Sequence, residues 1–239
     1  MAAGFVNAIA GGGTLISFPL LTLIGVPAVR ANATSSVALL PGYLGGSYAQ
    51  RNDLSGLGRT MRPRLIASAV GGFTGAVLLR VTSEAAFRQV VPFLILAACL
   101  LLAAQDRLRQ RLFADGDGHA DHRVAQTAAV GFAAIYGGYF GAGLGIMFMA
   151  ILGLFSTLAI NRLNAVKQML SVAASTASVA FLVFSGKVEW SLVAVMAPAA
   201  LVGGSLGGRV ASRIPPKKLR MVVITFGFAA AIVYLVKSL

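Results

Sequence analysis

The sequence predicts an all-α, polytopic membrane protein made of two homologous, inverted repeats, each a glycine-broken segment followed by three transmembrane helices. Three observations predict it. Only 11% of the 239 residues are charged, against about 25% in an ordinary soluble domain, so the chain cannot cover a water-facing surface. The apolar stretches are long and continuous, which favours helices over the short alternating strands of about ten residues that a membrane barrel needs. The two halves also carry the same small motifs in the same order.

In chain order the apolar segments run over 1–28, 31–50, 64–82, 87–104, 125–158, 163–185, 189–210 and 218–238. Most have the ~20 residues that a spanning helix requires. The first is long, and the fifth is much too long for one helix. Both contain glycine clusters, Gly11–Gly13 and "GAGLG" at 141–145, with Pro19 after the first. Met1 enters the first run with no basic stretch ahead of it, so a membrane segment is expected there rather than a cleavable signal. "GGFTG" (71–75) and "GGSLG" (203–207) have no following proline and read as helix-packing surfaces, where small residues let backbones approach. The sequence between the fourth and fifth segments is polar. It divides the chain into a first repeat (1–104), an inter-repeat loop (105–124) and a second repeat (125–239).

The repeat rests on several matches. At an offset of 132, Arg30 meets Arg162, Asn32 meets Asn164, "GGFTG" meets "GGSLG" and "FRQVV" (87–91) meets "LRMVV" (219–223). Loop charges indicate the orientation of the halves. Eight simple spans divide the 20 Lys and Arg residues evenly between the two sides, against the positive-inside rule. If the first and fifth segments each turn back at their glycines, Arg30, Arg80, Arg88, Lys187 and Lys237 lie outside and the other 15 inside. Each half then crosses an odd number of times, which makes the halves inverted copies, as in many transporters.

Charge and composition also limit the chemistry. The net charge of +13 comes from basic residues clustered between apolar segments, so it reflects topology, and no nucleic-acid partner is expected. The seven acidic residues all lie in or beside connectors, so no carboxylate sits at membrane depth to relay protons or cations. No reactive pair for an intramembrane enzyme is present either. Cys99 is the single cysteine, so no intrachain disulfide forms. "DGDGHADH" (115–122) matches no standard metal spacing and reads as a solvated loop. No metal and no cofactor is expected.

The segments hold amides, hydroxyls and a few cations instead, a lining suited to an anion. In the first half the set is Arg30, Asn32, Thr34, Ser35 and Ser36, at a helix start after the first glycine break. In the second it is Asn161, Arg162, Asn164, Lys167, Gln168 and Ser171, of which the last four share one helix face. Helix starts carry unpaired N–H groups and partial positive charge. The breaks add Gly12, Gly13, Thr14 and Ser17 from one half and Gly141 and Gly143 from the other. Lys167 is expected to supply the main charge, Asn32 and Asn164 orientation, and the hydroxyls further donors.

"AGGGTLISFPLLTLIGVPAVRANATSS" (10–36) resembles the signature of the sulfite exporter TauE/SafE-like permease family, and "GGYFGAGLGIMFMAILGLFSTLAINRLNAVKQMLS" (137–171) resembles its second copy. In the second copy Gly-Ala-Gly replaces the unbroken glycine run, and "NAVKQ" replaces the Thr-Ser stretch. The resemblance implies a permease for small sulfur-containing or organic anions. The function expected is thus a secondary transporter, an exporter, of a small anion such as sulfite or a sulfonate, working by alternating access in a bacterial-type inner membrane. Its partners are then the anion and membrane lipid, with a homo-oligomer left open. The alternative is a channel-like or structural membrane subunit without alternating access.

Overall fold

The computed structural model describes residues 1–113, 123–156, 158–211 and 225. Among these residues the chain forms α-helices and one 3₁₀ turn, and no strand. The first half contains α1 (Ala2–Ala10), α2 (Thr14–Leu23), α3 (Ala28–Ala49), the 3₁₀ turn (Arg51–Leu54), α4 (Gly58–Val81) and α5 (Glu84–Phe113). The second contains α6 (Arg123–Tyr139), α7 (Leu144–Phe155), α8 (Ile160–Leu182) and α9 (Trp190–Val210). The last expected segment, 218–238, lies outside the described residues, as does the 115–122 stretch. The expected loop starts as helix, because α5 runs on to Phe113. The sequence "QDRLRQRLF" there consists largely of strong helix formers.

Among the described residues three stretches are long and apolar enough to cross a membrane by length and composition: Met61–Val81, Asn161–Leu182 and Trp190–Val210. By contrast α2 has 10 residues and α7 has 12, roughly 15 and 18 Å at 1.5 Å per residue. Each is about half the ~30 Å hydrocarbon thickness.

Both glycine clusters break the helix, and the chain doubles back at each. A Cβ on Gly13 would lie 2.5 Å from the Ala3 carbonyl oxygen and 2.7 Å from Asn7 Cβ, whereas an unbroken helix would set positions 3 and 13 about 15 Å apart. In the second half the Leu144 side chain lies against Gly137, 2.6 Å from where its Cβ would be. Gly11 (φ 75°), Gly141 (φ 76°) and Gly143 (φ 78°) occupy the left-handed region that other residues avoid. Proline is not the breaker, since Pro19 lies inside α2 and the second break forms without one.

The halves interlock reciprocally. α3 packs on α9 as α8 packs on α4, and α1 packs on α9 as α6 packs on α4. The two "GG" pairs make these crossings close: Gly72 abuts the Ala174 carbonyl, Gly138 abuts that of Gly72, and Gly204 abuts that of Gly42. The matching helices α3 and α8 run in opposite directions. Asn164, early in α8, donates to Gln50 at the end of α3 over 2.6 Å. Arg30, early in α3, pairs at 2.6 Å with Glu189, beyond the end of α8. Phe18, Phe87 and Phe140 meet edge-on, with centroids 5.4 to 6.3 Å apart, and pack α2 and α5 against the end of α6.

Candidate functional site

A helix that stops inside a membrane leaves its last carbonyls without intrahelical donors, and water is scarce there to satisfy them. α1 stops at Ala10 and α6 at Tyr139. In each case a side chain of the other half supplies a donor. The Lys167 ammonium, on α8, donates to the carbonyl oxygens of Ala8 (3.2 Å) and Ile9 (3.5 Å). The Asn32 amide, on α3, donates to the Tyr139 carbonyl at 2.7 Å. The two contacts join matching pairs of helices, but the donors stand at different positions of the repeat, and one is charged and the other neutral. The position matching Lys167 in the first half is Ser35, whose hydroxyl lies 2.5 Å from that of Ser17.

The two breaks touch. A Cβ on Gly11 would lie 2.5 Å from Gly145 Cα, and one on Gly141 would lie 3.3 Å from Thr14 Oγ1. The Lys167 stem passes alongside, with its Cδ 3.3 Å from the Cβ position of Gly145. Only glycine allows backbones this close, so the clusters permit the two ends to meet with the lysine wedged between the halves. Lys167 is 1% exposed, and among the described residues no carboxylate pairs with it.

Beside this contact lies a narrow cleft between α3 and α8, lined by the hydroxyls of Thr14, Ser36, Tyr43, Ser175 and Ser178 and by apolar Leu39 and Leu144, among others. Tyr43 interacts with Asn7 and Ser175. Several buried polar atoms of α3 and α8 lack protein partners: the hydroxyl of Ser178 in this cleft, and outside it both amide atoms of Gln168, the Ser171 hydroxyl and Asn32 Oδ1. Each such atom costs about 1–3 kcal/mol unless water or a ligand satisfies it. They are spread along the α3–α8 seam, from Asn32 near the start of α3 to Gln168, whose amide lies against Gly46 near its end.

The expected residues divide into two groups. Gly12, Gly13, Thr14, Ser17, Asn32, Ser35, Gly141, Gly143, Lys167, Gln168 and Ser171 are buried at or near the breaks and the seam. Asn7 holds the first break together, since its Oδ1 accepts from Gly13 N at 3.3 Å. The others stand toward the ends of the helices. Arg30 is 46% exposed and ion-paired with Glu189. Thr34 is buried and accepts from the Glu189 backbone N–H at 3.0 Å. Asn161 is exposed. Arg162 donates to the carbonyls of Asp53 and Ser55, and Asn164 is taken up by Gln50. The structure therefore does not bring Arg30, Asn161 and Arg162 to the breaks; Arg30 and Arg162 instead join the halves at opposite ends of the α3–α8 pair.

Sequence reading missed Asn7, Tyr43, Ser175 and Ser178. The serines were legible, because they stand four and seven residues beyond Ser171 and continue the same helical stripe. Tyr43 carried no such signal. Among the described residues no cluster of His, Cys, Asp or Glu could hold a metal ion.

Comparison with known proteins gives matches along most of the chain. The profile of a family described as "Sulfite exporter TauE/SafE" matches residues 1–234. The chain is 28% identical over 236 residues to a "Probable membrane transporter protein" of Haemophilus influenzae, covering 97% of this chain and 91% of that one. It is 25% identical over 237 residues to "Probable membrane transporter protein ORF9" of a Sinorhizobium species (96% and 87%). It is 26% identical over 215 residues to "Probable membrane transporter protein YfcA" of Escherichia coli K12 (90% and 77%). No solved structure gives a significant match.

Proposed function

The chain belongs to the sulfite exporter TauE/SafE family, a family of membrane transporters, and from that premise we propose that it is a secondary transporter of a small anion. The substrate class is sulfite, a sulfonate or a related organic anion, moved outward across the inner membrane by alternating access. One observation carries the reading: two helical hairpins meet at their glycine breaks, with a buried lysine at the contact and unsatisfied amide and hydroxyl groups next to it on α8. Such breaks near the bilayer midplane expose backbone to a substrate without opening the protein to lipid. Lys167 provides attraction, Asn32, Gln168 and Ser171 provide hydrogen bonds, and no group is assigned a catalytic role.

Inverted repeats suit this mechanism, because exchanging the conformations of two inverted halves turns an outward-open cavity into an inward-open one. The reciprocal packing of the halves and the opposite directions of α3 and α8 support that arrangement. In this reading the repeats are 1–104 and 125–239. The exposed apolar side chains, such as Phe132, Phe184 and Val195, then face lipid.

The test is reconstitution into proteoliposomes preloaded with sulfite or a sulfonate. A carrier shows saturable flux that rises when the same anion is present on the opposite side. Flux that neither saturates nor responds to the opposite side supports the channel-like alternative. No flux for any anion removes the transport assignment for this chain.

A further inference from the structure

We propose that the contact between the two breaks is built to carry one negative charge, so that the substrate crosses as a monoanion and dianions of the same size are rejected. This rests on the transporter reading above and concerns the same site.

The argument is a charge count. Each break brings one helix C-terminus and one helix N-terminus to the same place. These carry about −0.5 and +0.5 elementary charge. α1 ends and α2 begins at the first break; α6 ends and α7 begins at the second. The four partial charges cancel. What remains is the Lys167 ammonium, 1% exposed and without a carboxylate partner among the described residues. The counterpart of Lys167 in the first half is the neutral Ser35, and the α6 terminus is capped by neutral Asn32, so the repeat does not double the charge. Beside the lysine, the unpartnered amide of Gln168, 0% exposed, and the hydroxyl of Ser171, also 0% exposed, supply hydrogen bonds without charge.

A single anion leaves this centre neutral. A dianion leaves it with one uncompensated negative charge, and a zwitterion or neutral solute leaves the positive charge uncompensated. Uncompensated charge in a low-dielectric interior is costly, so both should bind and cross poorly.

The experiment uses three two-carbon sulfonates that differ in charge: taurine (zwitterionic), isethionate (one negative charge) and sulfoacetate (two). Initial rates of trans-stimulated exchange are measured with the full-length protein in proteoliposomes of neutral lipid at pH 6.0, where the three sulfonates keep these charges. Isethionate is expected to exchange at least about tenfold faster than either of the others at equal concentration. Isethionate exchange is also expected to be insensitive to an imposed membrane potential, because the loaded centre is neutral. If sulfoacetate matches or exceeds isethionate, the charge inference is overturned while the transporter reading stands. If no sulfonate or carboxylate shows saturable exchange, the transporter reading falls and the inference with it. Lys167→Arg keeps the charge and should keep the order. Lys167→Met, checked for a monodisperse folded species, should lose the advantage of isethionate over taurine; an unchanged preference in that variant would overturn the assignment of the charge to Lys167.

Discussion

Replacing Gly11 with alanine tests whether the two breaks must touch. Gly11 has a φ of 75°, and an L-residue held in the left-handed region costs roughly 1–2 kcal/mol. The new methyl would also lie 2.5 Å from Gly145 Cα and 2.9 Å from its carbonyl carbon. Both atoms are backbone of the opposing break and cannot rotate away, so the halves must separate locally. Overpacking of this kind costs about 1–3 kcal/mol, for a total of roughly 2–5 kcal/mol. Gly25 is the internal control. Its φ is 92°, but nothing lies within 4 Å of its Cβ position, so Gly25→Ala bears only the backbone cost of about 1–2 kcal/mol. Unfolding of both variants in mixed detergent micelles, followed through Trp190, gives the difference directly. Gly11→Ala should lose about 1–3 kcal/mol more than Gly25→Ala, and anion exchange should fall with it. Equal losses in the two variants would refute the close contact between the breaks.

Three further outcomes follow from the contacts described. Asn32→Ala leaves the Tyr139 carbonyl without its donor and should destabilise the protein by about 1–3 kcal/mol; Asn32→Asp, which keeps an acceptor but loses the donor, should do no better in the same unfolding assay. Glu189→Gln removes the ion pair with an Arg30 that is 46% exposed, so stability should change by less than about 1 kcal/mol, and a larger loss would mean that this end contact does more than join two surfaces. In a Cys99→Ala background, single cysteines at Ser55 and Lys187 should react with impermeant reagents from opposite sides of the membrane, Ser55 from the inside. Labelling of both from one side would contradict the proposed topology.

The sequence was informative where the controlling physics is local. Hydropathy and the scarcity of charge fix helices in a membrane. Glycines at 11, 141 and 143 break them, because only glycine takes a positive φ at little cost. The repeat is visible because duplicated elements keep the same small motifs at one offset. The stripe from Asn164 to Ser171 follows from helical periodicity, and extending it by two turns reaches Ser175 and Ser178. In these respects the chain dictates its elements without reference to what they pack against.

What no stretch of sequence contained was the pairing between halves. Arg30 and Lys167 look alike as cations near helix starts, yet one faces outward to Glu189, 159 positions away, and the other turns inward to the carbonyls of Ala8 and Ile9. Their fates depend on which surface each helix buries, and that is decided when the halves interlock. Arg30 stands at an exposed end where a carboxylate is within reach. Lys167 sits one turn deeper, where the unsatisfied carbonyls of a broken helix are the partners available. A buried ammonium must find acceptors or leave the interior. The tertiary structure gave it acceptors that exist only because α1 stops where Gly11 stops it.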